Sequence, residues 1–345
     1  MVEPEVQRDD EGSRVSGPPA GALLKGSDAA PLRVGVVGLG RMGRTHVRVL
    51  TSLPGVQVAA VSDVDPGALA DRGGAPGARA HEHPLELVRQ GEVDALVVAS
   101  SDASHADLVL AAIERGLPVL CEKPLTTSAE LAHEIVGRER SLGRRLVTVG
   151  FMRRFDPAFA ALSDAVRSGR LGAPAVVHTV HRNPLASYAF DTRVLVTNSA
   201  SHDVDLVRWY TGAEITQVTC SVADGADDRF ASVLLQLSTA SGALAGTELT
   251  YGPGCSYDVR AEVVGREASM ATPPAGTGGD WVDRFADAYL RQDAAWVAAV
   301  RAGTTTGASA WDGLANTVTL EAAGRALASG SPATVTLPDR PALYA

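Results

Sequence analysis

Three groups of residues have the types and spacing to do chemistry. The first is Val34–Gly43, VGVVGLGRMG, an apolar run that breaks into glycines, with an acid, Asp63, 20 residues beyond Gly43. A strand, a glycine turn and a helix in that order cradle a dinucleotide. Gly38 permits the tight turn, Gly40 lets a pyrophosphate approach the backbone, and Gly43 lets helix and strand pack closely. The phosphates would meet the helix N-terminus at Arg41, Met42 and Gly43, where free N–H groups and the dipole favour negative charge. Asp63 would accept from both adenosine ribose hydroxyls and repel a 2′-phosphate, and Val64 offers no arginine to receive one, so the pattern points to NAD over NADP. A glycine turn with a purely structural role is the alternative.

The second group is Cys121-Glu122-Lys123-Pro124, placed where an apolar strand runs out. An ammonium at the carboxyl edge of an open α/β sheet can hold a substrate hydroxyl and stabilise charge as its proton leaves. Taken alone, Glu-Lys-Pro is equally a surface tripeptide. The third group runs from Asn198 to Gly212 and reads as a helix that starts near Asn198 and stops at the glycine. Asn198 and His202 are four apart, on one side of such a helix. A histidine near a helix N-terminus resists protonation and could act as a base near pH 7, although a satisfied structural histidine fits the same residues.

The elements that must position these groups fall into two patterns. Over 32–150, short apolar strands at 33–37, 56–62, 94–100, 117–121 and 145–150 alternate with helical stretches such as 42–53 and 105–115. That alternation means a doubly wound parallel sheet. From 151, a helix at 157–168 precedes strands at 175–182, 215–222, 231–237, 243–251 and 257–265. Their open alternation predicts an antiparallel sheet with one exposed face. A loop follows at 272–279, then helices at 281–302, rich in aromatic residues, and 310–329. Residues 1–31 mix charge with Gly, Pro, Ser and Ala and read as a disordered tail, or as an upstream mis-assigned start. The expected division is therefore tail 1–31, cofactor-binding 32–150 and substrate-binding 151–345.

The bulk properties narrow the partners. The chain has 345 residues, 45% of them hydrophobic, enough for two well-buried domains. A net charge of −9 argues against nucleic acid or an anionic membrane surface as the main partner. No apolar run approaches the roughly 20 residues of a membrane span. Cys121, Cys220 and Cys255, an odd number at irregular spacing, fit a reducing cytoplasm better than a disulfide framework. His81 and His83 have the look of a metal pair but lack further ligands, so no metal is expected.

In combination, GLGRMG, SDVD, SSDASH, CEKP, GFMRRFDP, SHDVDLVRW and RFADAY resemble the Gfo/Idh/MocA oxidoreductase family across nearly all of 32–340. GFMRRFDP, HRNP and SYDVRAEVVG look most like its inositol 2-dehydrogenase branch. The resemblance implies a Rossmann domain, then an α/β domain with a large, mostly antiparallel open sheet that supports dimers or tetramers. It implies NAD-dependent oxidation of a cyclic polyol, myo-inositol first, with Lys123 as catalytic lysine and His202 as proton acceptor. Asn198 would orient His202 or the substrate. Arg153, His181, Asn183 and Tyr257 would line the polyol pocket, and His105 and Glu122 would lie beside the nicotinamide. Related activities on a sugar, ketosugar or aminocyclitol, the last in an antibiotic pathway, and a non-catalytic NAD-binding regulator are the rivals.

Two departures stand out. Inositol dehydrogenases usually carry aspartate where Asn198 stands, and one tyrosine of their YGYD signature is Cys255 here. Without that carboxylate, a weaker base and a more alkaline optimum are expected. Arg153 or Arg154 is expected to pair with Asp156, Asp203 and Asp205 to face solvent or cap the helix, and Cys121 to pack inside.

Overall fold

The computed structural model describes residues 30–90, 92–184, 192–223, 230–274 and 281–345. Residues 1–29 of the expected tail and 275–280 of the expected loop lie outside it.

Strands β1 (Leu32–Val37), β2 (Val56–Ser62), β3 (Arg79–His81), β4 (Ala95–Val98), β5 (Val119–Cys121) and β6 (Val147–Val149) pair in parallel in the order β3-β2-β1-β4-β5-β6. Helices α1 (Arg41–Ser52), α2 (Pro66–Ala70), α3 (Pro84–Arg89), α4 (His105–Glu114) and α5 (Ala129–Leu142) connect them. The order reverses between β1 and β4, and the carboxyl ends of those strands form the crevice where such sheets bind ligands. All four residues of β4 are buried, the pattern of a strand covered on both faces.

The chain continues through α6 (Pro157–Arg167), β7 (Pro174–Asn183), α7 (Thr192–Val194) and α8 (Ser201–Thr211). Strands β8 (Ile215–Val222), β9 (Ala231–Thr239), β10 (Leu244–Tyr251), β11 (Asp258–Gly265) and β12 (Ser269–Ala271) follow. Then come α9 (Trp281–Arg284), α10 (Ala286–Arg301), β13 (Ala308–Ser309), α11 (Ala310–Ser329) and β14 (Ala333–Thr334). The second sheet has the order β12-β11-β7-β10-β9-β8-β14, antiparallel except for the parallel β7–β10 pair. Its inward residues are buried, whereas Leu234 and Leu244 on the other face are 53% and 55% exposed.

The parallel and mostly antiparallel sheets stand as expected, with refinements at the edges. β3 is a short strand where the residues around His81 read as loop, and β13 adds antiparallel to β6. The expected 281–302 helix breaks at Phe285, whose backbone is not helical. Helix α10 returns to the first sheet, where Trp296 and Val297 pack with Val34, Leu50 and Val61 in one cluster. Among the described residues, no helix is long and apolar enough to cross a membrane.

Candidate active site

The glycine turn shows why only glycine serves there. Gly38 has φ +89°, and a Cβ on it would sit 2.4 Å from the Ala99 carbonyl oxygen. A Cβ on Gly43 would fall 1.7 Å from the Gly38 oxygen. Gly40, by contrast, faces open space and precedes α1 with no side chain capping the helix. Asp63 follows β2, and its Oδ2 accepts from Leu39 N at 2.5 Å while Oδ1 accepts from Asp65 N at 2.8 Å. Each carboxylate oxygen keeps lone-pair capacity for a ribose hydroxyl. An uncapped helix start, open space at Gly40 and a carboxylate at the end of β2 fit a bound dinucleotide.

From this turn a cavity of about 940 Å³ runs between the two sheets. Arg41 and Met42 line it from α1, His105 from α4, and Glu122 and Lys123 from the end of β5. Arg153, His181, Asn183, Asn198, His202 and Tyr257, the substrate-side residues expected from sequence, also line it, whereas Gly38, Gly40, Gly43 and Asp63 do not. Cys255 does not line it; Tyr251 does, its ring 5.9 Å from that of His181. The His105 ring ties the ends of β4 and β5 together, with Nδ1 2.8 Å from the Pro124 oxygen and Nε2 3.1 Å from the Ser100 oxygen.

Asn198 is not at a helix start. The helical run begins at Thr192, passes through a π-helical turn at Leu195–Ser199, and continues as α8 to the left-handed Gly212. The Ala200 N–H reaches back five residues to the Leu195 oxygen, 3.0 Å, which widens the helix where Asn198 leaves it. Among the described residues Asn198 makes no hydrogen bond to His202. Its Oδ1 accepts from Lys123 Nζ at 3.0 Å, and its Nδ2 donates to Asp102 Oδ2 at 3.2 Å.

His202 is 9% exposed, and its Nδ1 is buried with no hydrogen-bond partner among the described residues. Burial, then Arg153, Lys123 and His181, hold its pKa well below that of a free imidazole. The direction expected from its place on the helix holds, but desolvation and neighbouring cations are the cause. The expected alkaline optimum does not follow. A base that stays neutral to lower pH carries the acid limb of activity downward. Burial and Arg153 lower Lys123, against the opposing pull of Glu122 and Asp102.

Asp203 and Asp205 neither face solvent nor cap a helix. Helix α8 is enclosed, and its acids neutralise arginines that follow β6. Asp203 Oδ1 accepts from Arg153 Nη1 at 2.9 Å, and Asp205 accepts from Arg154 Nη2 at 2.6 Å. Asp156 pairs with neither arginine; it caps α6 through the Ala158 N–H, 3.0 Å, and meets Arg284 at 2.7 Å. His181 Nδ1 lies 3.1 Å from Asp203 Oδ2 and 3.3 Å from Arg153 Nη2. The shorter contact, to an acceptor-only group, places the proton on Nδ1 and leaves Nε2 as the ring's acceptor. Burial pushes the Tyr257 hydroxyl up to about 12, so it remains a donor. Cys121 is fully buried, as expected.

Sequence reasoning passed over several residues here. Trp281, Phe285 and Tyr289 line the cavity, and Arg41 stacks over the Trp281 ring at 4.7 Å. Their i, i+4, i+8 spacing was the available signal. His46 gave none. Its Nδ1 is 2.8 Å from Asp293 Oδ2 and its Nε2 3.2 Å from Glu122 Oε1, 247 and 76 residues away in sequence. Glu122 Oε2 in turn accepts from Lys123 N at 3.1 Å. His81 lies in β3 and His83 precedes α3; among the described residues no three side chains form a metal-binding group.

Residues 32–151 match the oxidoreductase family with an NAD-binding Rossmann fold, and 159–271 match the GFO/IDH/MocA C-terminal domain. Inositol 2-dehydrogenase 1 of Saccharopolyspora erythraea is 43% identical over 341 residues, covering 91% of this chain and 99% of its own. Inositol 2-dehydrogenase 2 of the same organism is 40% identical over 337 residues, with 91% and 98% covered. The crystal structure of myo-inositol dehydrogenase from Lactobacillus casei in complex with NAD(H) and myo-inositol superposes with a TM-score of 0.85 at 28% identity. That match covers 91% of this chain and all of the other. With a glycine turn built for a dinucleotide and matches to both family domains, this chain belongs to the Gfo/Idh/MocA family of NAD-binding oxidoreductases.

Proposed function

We propose that this protein oxidises a secondary alcohol on a cyclic polyol with NAD, converting myo-inositol to 2-keto-myo-inositol. The observation that carries the reading is the meeting of Lys123 and a neutral His202 in one cavity that starts at the dinucleotide turn. The inositol 2-dehydrogenases to which the chain is similar, and the neighbour holding NAD(H) and myo-inositol, support the substrate. Residues 32–150 would hold the cofactor, and 151–345 the polyol and the contacts between subunits. The exposed Leu234 and Leu244 support a homodimer or homotetramer through the open sheet face. The free Cys121, Cys220 and Cys255 support a cytoplasmic setting.

In this reading Lys123 donates to the reacting hydroxyl oxygen and stabilises negative charge as it develops. His202 accepts the hydroxyl proton. When bound, the oxidised nicotinamide supplies the two-electron acceptor for the carbinol carbon. Arg153, His181, Asn183 and Tyr257 offer donors and acceptors on the cavity wall for the remaining ring hydroxyls. Asp203 accepts from both Arg153 and His181 and so fixes the two side chains on the cavity wall that faces the substrate.

The test is NADH formation by purified protein given NAD and a panel of myo-inositol, scyllo-inositol, hexoses and an aminocyclitol. Turnover is expected on myo-inositol and not with NADP in place of NAD. Tight NAD binding with no turnover on any member would reject the enzyme in favour of a cofactor-binding regulator.

A further inference from the structure

Lys123 is linked to a carboxylate it does not touch. Its Nζ donates to Asn198 Oδ1 at 3.0 Å, and Asn198 Nδ2 donates to Asp102 Oδ2 at 3.2 Å. An ammonium has only donors and a carboxylate only acceptors, so the amide between them has one orientation that satisfies both. Turned over, it would set its NH2 against the ammonium and its carbonyl against the carboxylate. The three groups come from separate places: the end of β5, the short 3₁₀ turn at Asp102–Ser104 after β4, and the π-helical turn before α8.

We propose that Asp102 is a positioning residue for the reaction, locking the Asn198 amide so that its carbonyl faces the Lys123 ammonium. The proposal rests on the reading of Lys123 as the donor to the substrate oxygen. Around that ammonium, Glu122 and Asp102 favour the charged form, while burial and Arg153 oppose it. His202 and His181 complete the set, and the Lys123 charge lowers both. Asp102 thus acts on the side of the charge that burial works against. A carboxylate placed at position 198 alone would meet Asp102 at hydrogen-bond distance, and such a pair holds one proton between two oxygens instead of serving the lysine. Exchanging the two residue types keeps one carboxylate and one amide in the chain.

The chain allows a direct test, because Lys25 and Lys123 are its only lysines. In full-length protein labelled with ¹³C-lysine, two side-chain signals appear, and Lys25→Arg identifies the other as Lys123. In Asp102→Asn, the Lys123 titration is expected to move to lower pH, with the alkaline limb of kcat moving the same way. The kcat on the preferred cyclitol should fall about tenfold, within what misplacing a reacting group costs. Asn198→Asp alone should also lose activity, and Asn198→Asp combined with Asp102→Asn should recover most of it. Thermal melting in the wild-type range shows that the variants fold. A Lys123 titration unmoved by Asp102→Asn overturns the proposal. If the wild type turns over no cyclitol, the functional reading fails instead, while the titration still decides whether Asp102 governs Lys123.

Discussion

His46 and His202 are both buried histidines close to the end of β5, yet near neutral pH one is a cation and the other is uncharged. His46 has no exposed surface and lies between Asp293 and Glu122, whereas His202 faces Arg153, Lys123 and His181. Burial alone lowers both. For His46 the two carboxylates outweigh it and push the ring up to about 10; for His202 the cations add to it. The charged ring becomes a brace joining α1, the end of β5 and α10. The neutral ring keeps a lone pair for a proton. One residue type thus serves as a structural cation and as a candidate base, and the sign of its neighbours makes the difference.

The sharpest way to break this contrast is to remove the brace. His46→Leu leaves Asp293 and Glu122 buried without their cation and is expected to cost about 3–5 kcal/mol of stability, read by urea unfolding. A cost below about 1 kcal/mol would reduce the triad to the value of a surface pair. On the other side, His202→Ala and Lys123→Ala should unfold like the wild type and lose at least about 10²-fold in turnover. Near-native turnover in either would remove that residue from the chemistry.

The smallest effects are the pH slopes, which should run in opposite directions. The folded pKa of His46 lies above the unfolded value near 6.5. Its contribution to stability is therefore complete below pH 6.5 and is lost as pH rises toward about 10. The folded pKa of His202 lies below the unfolded value. Its contribution is present above pH 6.5 and is lost as pH falls below it. The stability gap between wild type and His46→Leu should therefore narrow from pH 6.5 to 10. From pH 7 to 5 the wild type should lose more stability than His202→Gln. Parallel slopes for the two pairs would dissolve the comparison.

Much of the fold was legible because its signals are local. The apolar runs of β1, β2 and β4, the Gly38–Gly43 turn and the stop at Gly212 depend on residues within one turn or strand of each other. The edges were less so. Strand β3 is three residues long and β13 two, so each pairs only because a neighbour presents an open edge. Lys123 and His202 stood out by type and by likeness to a family, but their partners did not. Asp102 passed as one residue of SSDASH, and His46 as one residue of the helical stretch 42–53. Asp203 and Asp205 read as polar residues on a helix surface, since nothing nearby in sequence says that α8 is enclosed.

By itself the sequence determined the order of the longer strands and helices, a turn in which Gly38 and Gly43 leave no room for a side chain, an acid at the end of β2, and a lysine at the end of β5. Each follows from backbone sterics or short-range periodicity, which a few consecutive residues specify. The tertiary structure decided which side chains share charge: Arg153 with Asp203, His46 with Asp293, and Lys123 with Asp102 through Asn198. Ionisation in a buried site depends on spatial distance and on exclusion of water, and these partners come together only when the two sheets and α10 close around the cavity.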